Sequence, residues 1–146
     1  MPELAEVVTG HLPFLQALTE QQAARKPAPG VWCAKEILGH LIDSGVNNHA
    51  RFVQARAQSG LDLPGYDQNA WVVAGAYSER SWADVLGLWA GYQQHLAHVI
   101  ASLPAGSLDH TLSVGGGAPV TLHFLTQDYV AHQLHHLSQI PERAGL

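Results

Sequence analysis

Strong helix breakers divide this chain into four long segments, and that division limits what it can fold into. The breakers are KPAPG at 26–30, Ser59-Gly60, Pro104 and Pro141. Between them apolar residues recur at helical spacing. Segment one runs from Pro2 to Arg25, and Pro13 either kinks it or sits near its start. Segment two runs from Cys33 to Gln58. Segment three opens at Ser81, where Ser81 and Asp84 resemble a capping box with Asp in place of Glu, and continues to Leu103. Segment four begins at Thr121, a good N-cap, and ends at Ile140. The connector LDLPGYDQNAWVVAGAY carries a Pro-Gly turn and a short helical stretch. The stretch HTLSVGGGAPVTL reads as two short β-like runs around a glycine turn, a small β-hairpin before the last helix. The expected fold is all-α: an up-and-down four-helix bundle with long connections, residues 1–146 forming a single domain.

Composition removes several function classes. A chain of 146 residues with 47% apolar content can bury a core, so disorder is not expected. A net charge of -5 with only seven Lys and Arg argues against a nucleic-acid partner. No apolar run approaches the roughly 20 residues needed to span a bilayer. The start, MPELAEVVTGHL, lacks the basic region and long apolar stretch of a signal peptide. Cys33 is the single cysteine, which excludes an internal disulfide. Together these features point to the cytoplasm. The unusual feature is ten histidines, more than Lys and Arg combined.

Helical projection at about 100° per residue separates those histidines. In segment four, Leu122, Leu125, Tyr129, Val130, Leu137 and Ile140 form an apolar arc. His132 and His136 lie in or at the edge of it, one turn apart, so their imidazoles stack on one face. Such a pair can present two nitrogens to one metal ion, or be two core histidines satisfied by hydrogen bonds. His135 sits at the rim. In segment two, His40, Ser44, Asn47 and Arg51 form a polar line along the edge of the apolar arc. On pattern alone that line fits a solvated face slightly better than the lining of an interior cavity. His49 lies opposite His40 and is excluded from its site. His95 and His98 fall on the polar side of segment three, and His11, His110 and His123 read as surface residues.

The stretches VWCAKEILGHLIDSGVNNHARF, LPGYDQNAWV and YVAHQLHHLSQI resemble the DinB-like superfamily, specifically its YfiT-like branch. The resemblance runs from Val31 to Ile140. Its Trp-x-x-x-Glu-x-x-x-His opening and late His-x-x-x-His are specific in combination. The resemblance implies a four-helix bundle holding a divalent metal through one histidine of the second helix and two of the last. On this chain those are His40, His132 and His136. Relatives often carry Ser where this chain has Cys33. Two readings are open there: a reactive thiol at a helix N-terminus, or a small buried residue filling the cap position.

Three neutral imidazoles leave a divalent ion its charge and an open position, the layout of a catalytic site. Imidazole ligation suits Zn, Ni, Fe or Mn. Asp43, Asp128 and Gln139 are within helical reach as supporting partners, and Asn47 and Arg51 are candidates for binding a carboxylate of a cofactor or substrate. The resemblance implies two chemistries: S-transfer with a low-molecular-weight thiol, which is narrowly preferred, and metal-dependent hydrolysis of a small molecule. A third possibility is a non-catalytic binding module, signalled by a fourth ligand such as His135 or Asp43. A homodimer is expected by analogy with relatives, and Trp71, Trp82 and Trp89 are either interface aromatics or core residues.

Overall fold

The computed structural model describes residues 1–146. Four long helices build it: α1 (Leu4–Ala17), α3 (Ala34–Ala57), α5 (Trp82–Ala101) and α6 (Leu122–Leu137). Short helices α2 (Glu20–Ala24), α4 (Gln68–Gly75) and α7 (Ile140–Arg143) sit between or after them. Strands β1 (Leu61–Leu63), β2 (Thr111–Val114) and β3 (Val120–Thr121) form one small sheet. The expected four-helix bundle with long connections is present. Its packing order is α1 against α5, α5 against α3, α3 against α6, and α6 back onto α1. The chain therefore places α1 diagonally from α3, and α5 diagonally from α6.

Capping explains most helix starts. Thr121 Oγ1 accepts from the Phe124 amide at 3.1 Å, and Ser81 Oγ accepts from the Asp84 amide at 3.2 Å. The Cys33 amide donates to Glu36 Oε1 at 3.2 Å, which opens α3.

Three expectations change. Segment one is two helices, because Leu18 is extended and Thr19 starts α2 with its own capping box to Gln22. The helix continues through Pro13, which costs α1 one backbone donor. Segment four ends at Leu137, and Pro141 lies in the first turn of α7, where its missing N–H is not needed.

The β2–β3 hairpin is as expected, with its turn at Gly115 and Gly116, both at positive φ. The connector adds β1, which pairs parallel to β2 with Leu61 opposite Leu112. This pairing fixes the segment Pro64–Gln68 over α3, where it becomes the second wall of a cleft.

The core includes Val8, Ile37, Leu38, Leu41, Phe52, Val85, Trp89, Leu96 and Leu122, all with no exposed surface. Trp82 and Trp89 complete this core, while Trp71 on α4 is exposed. No helix is long and apolar enough to cross a membrane.

Candidate metal centre

Helix α3 contributes His40 and α6 contributes His132 and His136. One nitrogen from each ring lies within 4.8 Å of the others, and no further His, Cys, Asp or Glu joins that group. The ring centroids are 4.5–5.0 Å apart. The Nε2 atoms of His40 and His132 approach to 3.2 Å. His136 Nδ1–H donates to Gln139 Oε1 at 3.1 Å, which leaves its Nε2 as the free lone pair. His40 Nδ1 is buried without a partner.

Burial, followed by the neighbouring histidines, holds the pKa of His40 down at about 3. Burial, followed by His136 and His135, brings His132 to about 4. Burial also lowers His136, against the opposing effect of Gln139. All three rings are therefore neutral at physiological pH, the state that ligates a cation. Neutral nitrogen donors in this closeness fit a divalent ion, and three protein ligands leave room for another.

Trp32 covers the cluster. Its ring lies 4.9 Å from His40 and 6.4 Å from His136. Arg143 on α7 donates to the Trp32 carbonyl at 2.8 Å, so the last helix holds this cover in place. The sequence motif contains Trp32, two turns before His40, but its role as a cover depends on how α6 and α7 pack.

A cleft of about 330 Å³ opens beside the histidines. His40 and His132 lie at one end, with Ser44, Asn48, Arg51 and Tyr66 along its walls. Of the polar line read from the sequence, Ser44 and Arg51 face this cleft. Asn47 does not: its side chain donates to the Asp43 carbonyl at 2.9 Å, and Asn48 takes the wall position instead. The cleft lies on the Ser44 side of His40, and helix geometry puts Asn48 on that side.

The supporting residues divide. Gln139 orients His136. Asp43 instead accepts from the Tyr77 hydroxyl at 2.6 Å, and burial raises its pKa. Asp128 is exposed in the cleft wall, one turn before His132 on the same face of α6. His135 is exposed and edge-on to His136, outside the three-nitrogen group. Cys33 is fully buried, and desolvation pushes its thiol pKa up, so the reactive-thiol reading is overturned. His49 is away from the cluster and pairs through Nδ1 with the Tyr92 hydroxyl at 2.9 Å. His110 is half-buried rather than a surface residue, with Nδ1 2.6 Å from the Ala55 carbonyl.

Residues 6–140 match the DinB superfamily. The chain belongs to the DinB superfamily. Among its superfamily relatives, it is 26% identical over 133 residues to YfiT of Bacillus subtilis strain 168, covering 88% of this chain and 72% of YfiT. The solved structure of that protein, described as a probable metal-dependent hydrolase with an unusual four-helix bundle topology, superposes with a TM-score of 0.83. That superposition covers 96% of this DinB chain and 81% of the other, at 21% identity. A mycothiol-dependent maleylpyruvate isomerase shares the fold with a TM-score of 0.71 at 12% identity, covering 94% of this chain and 57% of its own.

Proposed function

We propose that this DinB-superfamily protein is a metal-dependent hydrolase acting on a small molecule. One observation carries the reading: three neutral imidazoles from two helices converge without a fourth protein ligand, and two of them, His40 and His132, line the end of an open cleft. His40, His132 and His136 would hold the ion. A divalent ion bound there supplies Lewis acidity, which acidifies water and polarises a carbonyl.

The chain's own residues supply the rest. Gln139 holds the His136 ring in the tautomer that leaves Nε2 free. Trp32, which is not part of the cleft lining, packs over His40 and His136 and limits the access of water to them there. Ser44 and Asn48 offer hydrogen-bonding groups along the cleft to orient a substrate. Asp128 is the carboxylate in that wall and takes the proton of an attacking water.

The relative at 26% identity is described as a probable metal-dependent hydrolase, which favours hydrolysis over the S-transfer preferred from sequence. Support for thiol chemistry is the isomerase likeness, and at 12% identity that likeness concerns the fold.

The test is elemental analysis of purified protein beside a His132→Ala/His136→Ala variant, followed by ester and amide hydrolysis assays. About one divalent ion per chain, lost in the variant together with hydrolysis, is the expected result. No ion after incubation with Zn, Ni and Mn would sink the metalloenzyme reading. Bound ion with turnover only when a low-molecular-weight thiol is added would replace hydrolysis by S-transfer. Bound ion with no turnover in either assay would make the protein a binding module.

A further inference from the structure

We infer that Arg51 is the specificity-determining anion receptor of the cleft, and that the substrate class is an elongated molecule ending in a carboxylate. This rests on the proposed small-molecule reading of the same cleft.

Arg51 is 8% exposed, yet it forms no ion pair: the three salt bridges of the protein are Lys26–Glu36, Lys35–Glu20 and Arg80–Asp84. Its guanidinium donates to Asn48 Oδ1 at 3.3 Å and to the Pro64 carbonyl at 3.2 Å. A guanidinium has about five N–H donors, so most of its fork remains unused. The Tyr66 ring lies 5.9 Å from its central carbon and steadies it from one side. Burying a charge without a counter-ion is costly, and a protein that keeps one facing a cleft has a place for an anion from outside.

The shape of the ligand follows from the walls. Arg51 lies eleven positions after His40 on α3, about 16 Å along the helix axis. The lining between them mixes the apolar Leu125 and Val114 and the Tyr129 ring with the polar Ser44 and Asn48. The planar fork matches a carboxylate in bidentate geometry. Asp128 in the same wall disfavours a doubly charged phosphate.

Hexanoate, hexanamide and hexyl phosphate serve as probes, titrated by calorimetry into metal-free protein first and zinc-incubated protein second. Metal-free protein is expected to prefer hexanoate over hexanamide by at least about tenfold, the value of a charge-assisted hydrogen bond. That preference disappears in Arg51→Gln, and Arg51→Lys, which keeps charge without the fork, recovers it only in part. The Arg51 Nε–H resonance of the wild type shifts on adding hexanoate, a readout independent of whether either variant folds. Equal binding of hexanoate and hexanamide, or an unmoved Arg51 resonance, overturns the proposal. Tighter binding of hexyl phosphate overturns the carboxylate assignment. Zinc uptake is scored separately, so carboxylate selectivity without zinc uptake leaves this inference standing while the hydrolase reading falls. Zinc uptake without selectivity does the reverse.

Discussion

The Nε2 atoms of His40 and His132 lie 3.2 Å apart although the residues are 92 positions apart in sequence. Burial, with the repulsion of neighbouring histidines, keeps both rings neutral near pH 7. In the unfolded chain each takes a proton near pH 6.5, whereas the folded values are about 3 and about 4. Below pH 6.5 the unfolded state therefore binds more protons, and stability falls as pH drops toward 4. The loss is at most ~1.4 kcal/mol per pH unit for His40, and smaller for the more exposed His132. Chelator-treated protein should show this acid loss in urea unfolding, and a His40→Gln/His132→Gln variant should show a shallower one. Parallel curves would refute it.

Gln139 holds His136 by a single hydrogen bond of 3.1 Å. Gln139→Ala frees the ring to rotate and removes the acceptor that fixes its tautomer. Zinc affinity, measured against a competing chelator, should fall about 10–100-fold with little change in melting temperature. Unchanged affinity would mean that packing alone orients the ring.

Asp43 is buried with Oδ1 paired to Tyr77 and Oδ2 unpaired. Tyr77→Phe removes the one donor and leaves the carboxylate uncompensated, at a cost of about 1–3 kcal/mol near neutral pH. Asp43→Asn removes the charge that burial penalises and should be neutral or stabilising at pH 7. Because burial raises the Asp43 pKa, wild-type protein gains on Asp43→Asn as pH falls through that value. Equal destabilisation by both variants at neutral pH would contradict this account.

Gly39 and Gly87 are both helical glycines, with opposite surroundings. A Cβ at Gly39 would sit 2.1 Å from the Tyr77 ring, which its hydroxyl bond to Asp43 holds in place. A Cβ at Gly87 would meet nothing within 4 Å. Gly39→Ala should cost ~1–3 kcal/mol or more, and Gly87→Ala should add about 0.5–1 kcal/mol. Thermal unfolding of the two variants side by side checks both signs.

Local chemistry made much of this protein readable in advance. The limits of α3 and the starts of α5 and α6 follow from capping residues and breakers, because helix ends are satisfied by near neighbours in sequence. The Thr19–Gln22 box that divides the first segment is equally local and was there to be read. His132 and His136 share a face because they are one turn apart on one helix. Other features required the tertiary structure. The parallel pairing of Leu61 with Leu112 joins residues about fifty positions apart, and no local pattern specifies it. The polar line on α3 was ambiguous between solvent and cavity until α6 and the segment after β1 packed against it. That packing brought His40 to the α6 pair, turned Asn48 rather than Asn47 into the cleft, and buried Arg51 without an anion. Sequence determined the helices and their faces, because turns and caps are short-range. Only long-range packing decided which faces meet, and the candidate site lies where they do.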